Sequence, residues 1–132
     1  MSDTSSRPHA HERFVGAEHH LQLAQIFADL ENEARAAQNG HRQITVFHRA
    51  PVTIVAFSFD DGGVLHDHSA AGLVTIQAVQ TTAEGVLEVR TASHNYQLQS
   101  GEIVVLEPNV VHSVSSRGAS KMLLTIHLEK HD

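Results

Sequence analysis

The chain has no cysteine in its 132 residues. That absence excludes disulfides, thiolate nucleophiles and zinc sites built on cysteine. With no disulfide framework, a cytoplasmic location is the expectation. Basic residues are also few: 9 Lys and Arg stand against 15 Asp and Glu, a formal net charge of −6. This balance does not supply the basic face that nucleic acid needs. Arg117 and Lys121, close to one turn, are too few to make one. Long apolar runs are missing, so no membrane-spanning helix is expected. The first residues, Met1 to Pro8, lack the apolar segment of a secretory signal. Neither nucleic acid nor membrane is expected as a partner.

What the chain has in excess is histidine, 12 of them. Histidine is the commonest metal ligand and titrates near neutral pH. Number alone says little, however. His9, His11, His19, His20, His41 and His131 sit in polar or terminal surroundings and read as solvated surface residues.

The length suits one domain. Residues 1–16 read as a flexible tail, small, polar and interrupted by Pro8. Over residues 17–40 the pattern becomes helical. Leu23, Ile26, Phe27, Leu30 and Ala34 recur at steps of three and four, with Glu31, Glu33 and Arg35 on the other side. Asn39-Gly40 supplies a stop, because glycine tolerates the left-handed geometry of a helix end. The stripe predicts a helix packed outside a sheet or at a dimer contact. With only strands after it, this helix is not half of a helix-turn-helix pair.

Residues 41–130 read as strands throughout. Gln43–His48 and Val52–Phe59 are rich in β-branched and aromatic residues and are separated by Ala50-Pro51. Asp60-Asp61-Gly62-Gly63 is a turn. Val74, Ile76 and Ala78 alternate with Thr75 and Gln77, the signature of a half-buried strand. Further short strands follow at 86–90, 96–99, 102–106, 110–115 and 122–128, with glycine-bearing turns between several of them. Ile103, Val105, Leu123 and Leu124 are read as core. This rhythm predicts an all-β sandwich or closed barrel and disfavours a parallel α/β fold. There is no Gly-x-Ser-x-Gly elbow and no glycine-rich phosphate loop.

The segment from Asp60 to His112 carries the chemistry. In His66-Asp67-His68 two imidazoles are two residues apart. On a regular strand, positions i and i+2 share a face, so both rings can reach one ion. His112 lies on a later strand, after Gly101 and a turn at Glu107-Pro108-Asn109. Three neutral imidazoles and water make a workable site for zinc, nickel, iron or copper.

These residues resemble the cupin superfamily over about residues 43–128. The first cupin motif is a Gly, five residues, His-x-His, a short gap, a Glu and a later Gly. His66-x-His68 matches its core, with Asp60 in the slot of the first Gly. The second motif is a Gly, five residues, Pro, x, Gly, two residues and His. Gly101 to His112 matches its spacing, with Glu107 for the Pro and Asn109 for the Gly. Asn is a mild change, since it too tolerates a left-handed turn. The glutamate ligand of the first motif is missing. Its slot falls near Leu73 or Val74, both apolar. Gln77, the nearest oxygen donor, lies on the face opposite Val74 unless a bulge intervenes.

The resemblance implies an all-β fold: a single cupin double-stranded β-helix, or jelly-roll barrel, with one N-terminal α-helix. It implies a divalent metal ion (zinc, nickel, iron, copper or manganese) on His66, His68 and His112. It further implies a small-molecule ligand inside the barrel and a homodimer. Specific activity is left open between a binding module and a metal-dependent enzyme of the dioxygenase or isomerase type. His48, His94 and His127 lie in or beside strands and read as solvent-facing or satisfied, with His127 a candidate partner of a ligating ring. Asp60, Asp61 and Asp67 read as turn formers.

Overall fold

The computed structural model describes residues 14–34 and 36–129. Most of the expected tail therefore lies outside the described residues, as do His9, His11 and His131. The helix, α1, spans Leu23–Glu31, which is shorter than the helical segment read from the sequence. The apolar stripe explains its extent. Phe27 and Leu30 are buried, while Gln22 at the start makes no side-chain cap and neither end turn carries a charge of the favourable sign. Such a helix persists only where packing covers it. Asn32 closes it, its N–H shared between the Ala28 and Asp29 carbonyls at 3.2 Å each. Ala34 lies beyond the end.

Among the described residues nine strands follow: β1 His41–Arg49, β2 Val52–Phe59, β3 Val64–His68, β4 Gly72–Thr81, β5 Val86–Thr91, β6 Asn95–Leu98, β7 Ile103–Leu106, β8 His112–Arg117 and β9 Ser120–Leu128. They form a five-stranded sheet in the order β1-β2-β9-β4-β7 and a four-stranded sheet in the order β3-β8-β5-β6. Every ladder is antiparallel. Non-sequential neighbours such as β2-β9 and β3-β8 mark chain crossings between the sheets, as a jelly roll requires.

Strand alternation decides which side chains meet between the sheets. Val55, Phe57 and Phe59 of β2 point in, with Val74, Ile76 and Ala78 of β4 and Met122 and Leu124 of β9. Leu87, Val89, Leu98 and Val114 answer from the four-stranded sheet. Burying each such side chain stabilises the fold by roughly 1.5–3 kcal/mol. The outward residues of the same strands make a second, smaller core. Ala56 of β2 and Val46 of β1 pack with Phe27, flanked by Ile44, Ile54, Val79 and Leu123. The helix thus covers the outer face of the five-stranded sheet, one of the two places expected for it. Ser58 donates to Glu31 at 3.2 Å and ties the helix end to β2.

Two core expectations are corrected. Ile103 and Val105 are 54% and 55% exposed. On β7 the inward positions are Val104 and Leu106, and alternation turns their neighbours out. As the edge strand, β7 has a neighbour on one side only. Leu123 packs under the helix and Leu124 is in the main core, as read.

A candidate metal and ligand site between the sheets

The turn before β8 sets the position of His112. Asn109 adopts φ +68°, the left-handed conformation that the motif's glycine would take. Its N–H donates to the Ala70 carbonyl at 2.8 Å, binding this turn to the loop that follows β3. That loop then enters β4 at Gly72, where any side chain would collide with the His127 carbonyl of β9. The ends of β3 and β8 are therefore held side by side, and His68 stands directly opposite His112 in the ladder. The two ring centroids are 6.0 Å apart.

His112 is 3% exposed. Its Nδ1 lies 3.1 Å from the Val110 carbonyl oxygen. A carbonyl only accepts, so Nδ1 carries the proton, and in the neutral ring Nε2 is a bare acceptor. That Nε2 is buried and has no hydrogen-bond partner. An unsatisfied buried polar atom of this kind costs about 1–3 kcal/mol, and native folds rarely retain one without a use. His68 sits at the rim, more open to solvent. Burial pushes its pKa below 6.5, and the neighbouring His112 pushes it the same way. Both effects favour the neutral ring, the form that binds metal.

The two rings line a cavity of about 180 Å³. Val55 and Phe57 of β2, Val74 of β4, and Leu124 and Ile126 of β9 face them. Ser69 and Ala70 of the β3–β4 loop and Gln43 of β1 complete the lining. Val74 therefore points into the cavity from the region where the cupin glutamate is expected. Gln77 pairs with Ile103 and Leu123, whereas Val74, Ile76 and Ala78 face the core, so Gln77 lies on the opposite side of β4 as alternation required.

His66 is placed differently from its neighbour. Leu65 pairs with Val114, and His68 pairs with His112. Three steps on β3 thus match two on β8, which makes a bulge. The bulge breaks the i, i+2 rule that would put His66 and His68 on one face. His66 is exposed and is not among the residues lining the cavity. The structure therefore brings together two of the three expected ligands. Among the described residues, no three His, Cys, Asp or Glu side chains gather to hold a metal. The pair His68 and His112 still fits a divalent ion that takes its other ligands from water or a bound molecule. The Nε2 of His112 has no hydrogen-bond partner, and its ring is oriented through Nδ1 by a carbonyl, as metal-binding histidines usually are.

Other histidines have separate duties. His48 bonds Thr53 at 2.8 Å, and His94 stacks on Tyr96 at 5.5 Å. Neither lines the cavity, nor does His127. His41, read as a solvated residue, is in fact half-buried. Its Nδ1 is 3.0 Å from the Val64 carbonyl oxygen, and its ring lies 5.6 and 5.3 Å from those of Phe57 and Phe59. Its Nε2 is 3.2 Å from Oε1 of Gln43, a cavity residue that sequence reasoning missed. The His41-x-Gln43 spacing on an edge strand was the available signal, but nothing local tied it to the two distant histidines.

Solved structures share this architecture. One is a cupin superfamily protein from Desulfitobacterium hafniense, at TM-score 0.66 and 18% identity, over 87% of this chain and 95% of that one. The chain has the cupin fold. KdgF from a Halomonas species aligns at TM-score 0.62 and 20% identity, over 76% of this chain and 91% of that one. A conserved Streptococcus pyogenes protein of unknown function aligns at TM-score 0.65 and 20% identity, over 89% and 93%. No protein-family model and no curated protein matches the chain. At these identities the likeness is one of fold, and a cupin fold hosts many functions. Among the described residues, no helix is long and apolar enough to cross a membrane.

Proposed function

We propose that this cupin-fold protein binds a small organic molecule between its sheets, with a divalent metal ion on His68 and His112. The buried, unpartnered Nε2 of His112 carries this reading. A divalent ion there would supply a Lewis-acid centre for an oxygen of the bound molecule. The chain's own residues do the rest. The Val110 carbonyl fixes the His112 ring with Nε2 free to bind. Val55, Phe57, Val74 and Leu124 form the apolar far wall. The lining has no carboxylate, lysine or tyrosine, so no further acid or base stands beside the two histidines. Binding is therefore better supported than acid–base turnover.

The test is a cobalt(II) titration of chelator-stripped protein, followed by the visible absorption of the bound ion. Wild type and His66→Ala are expected to bind about one ion per chain. His68→Ala and His112→Ala should weaken binding by at least about tenfold, since even partners of ligands contribute that much. Unchanged affinity in both of the latter would overturn the reading. A loss in His66→Ala equal to theirs would show that His66 completes the site.

A further inference from the structure

We infer that the cavity takes a neutral, single-ring molecule carrying one hydroxyl group, of the size of phenol or cyclohexanol. The inference rests on the binding reading above and narrows it to a ligand class.

Size is the first argument. The cavity measures about 180 Å³. An apolar cavity of about 150 Å³ accommodates benzene. One six-membered ring with a single polar substituent therefore fills the space.

The lining is the second argument. Val55, Phe57, Val74, Leu124 and Ile126 form a continuous apolar wall on the five-stranded sheet. Phe57 offers an aromatic neighbour to a ring packed there. A sugar would turn several hydroxyls against that wall and leave each one unpaired. No lysine or arginine lines the cavity. A carboxylate or phosphate would thus lose its hydration without gaining a charge partner. The net charge of −6 adds a mild repulsion for any anion.

The third argument is the single buried polar group. Nε2 of His112 is an acceptor with no donor beside it. A ligand O–H supplies that donor. In the metal-loaded protein the same oxygen would serve the ion, whose positive charge would also hold an anion, so the neutral ligand class is assigned to the metal-free form. The polar groups at the rim, Gln43, His68 and Ser69, are exposed and can stay hydrated without contacting the ligand.

The test uses the full chain, stripped of metal, in an amide NMR titration with phenol, cyclohexanol, benzoate and glucose. Phenol and cyclohexanol should shift the amides of Ala70, Val74 and His112 and bind at least about tenfold more tightly than benzoate or glucose. Ala70→Leu, which fills the cavity, should weaken phenol by at least about tenfold, with a dispersed amide spectrum reporting that the variant is folded. Should Ala70→Leu fail to fold, Val74→Ile makes the same test with one added methylene. Benzoate or glucose binding as tightly as phenol would overturn the ligand class. So would phenol binding that neither filling variant weakens. Failure of phenol with cobalt still bound overturns the ligand class alone. Failure of both overturns the binding reading beneath it.

Discussion

The five-stranded sheet faces the cavity with Val55, Phe57, Val74, Leu124 and Ile126, whereas the four-stranded sheet and the loop beside it face it with His68 and His112. The first wall obeys strand alternation along β2, β4 and β9, and its side chains belong to the main core. The second departs from it. β3 carries a bulge between Leu65 and His68, and β8 buries a histidine whose Nε2 has no partner. One wall is therefore made for stability, and the other leaves a buried polar nitrogen without a partner. This division is expected where a rigid scaffold carries a functional site.

The largest effect should come from the stable wall. Phe57 is 3% exposed and packs against Phe59 at 5.9 Å. Phe57→Ala should cost about 3–5 kcal/mol in urea unfolding. A loss under about 1 kcal/mol would mean that the wall is loosely packed. Next, Val74→Glu puts a carboxylate in that wall, in the region where the cupin motif has one. In the stripped protein it should destabilise by about 3 kcal/mol, because an unpaired charge is buried. Cobalt(II) affinity should rise, and saturating metal should restore part of the lost stability by linkage. No gain in affinity would place Val74 away from the ion.

The histidine wall should respond in the opposite sense. His112→Leu removes the unsatisfied Nε2, so the stripped protein should gain about 1 kcal/mol while losing cobalt. A loss of stability instead would make His112 a structural residue. The next effect is pH-dependent. Burial, and then His112, hold the folded-state pKa of His68 below 6.5. The folded chain then binds fewer protons than the unfolded one. This contribution is complete above the unfolded pKa and is lost as pH falls through about 6.5, levelling off below the folded value. Stripped wild type should thus lose more Tm than His68→Gln between about pH 8 and 5. Parallel profiles would contradict it. Smallest of all, Ile103→Ser and Val105→Ser should change stability by no more than about 0.5 kcal/mol. If the expected homodimer covers this edge, both variants should instead abolish a concentration dependence of Tm.

Much of the fold was legible because local signals agreed. The turn at 60–63 and the period-2 patterns of β2 and β4 all reappear in the structure. The Asn109 turn was legible too, since few residues but glycine and asparagine tolerate positive φ. Ile103 and Val105 were misread because apolar residues on an edge strand look the same whichever face they take. The helix was overestimated because its stripe continued to Ala34, beyond the sheet that stabilises it. Of the candidate site, spacing marked His68 and His112, which the structure brings together, but the bulge between Leu65 and His68 leaves no mark in His66-Asp67-His68.

By itself, the sequence determined the strand rhythm, the apolar faces, the left-handed turn before His112 and the absence of a carboxylate near Val74. These are local matters of side-chain chemistry and period. The tertiary structure alone decided which histidines meet, because pairing β3 with β8 sets a register across 44 residues of chain, from His68 to His112. It also brought Gln43 and the Val55–Phe57 wall to the same cavity. A one-residue slip in register would turn each of those side chains to the other face, and only the packed sheets prevent it.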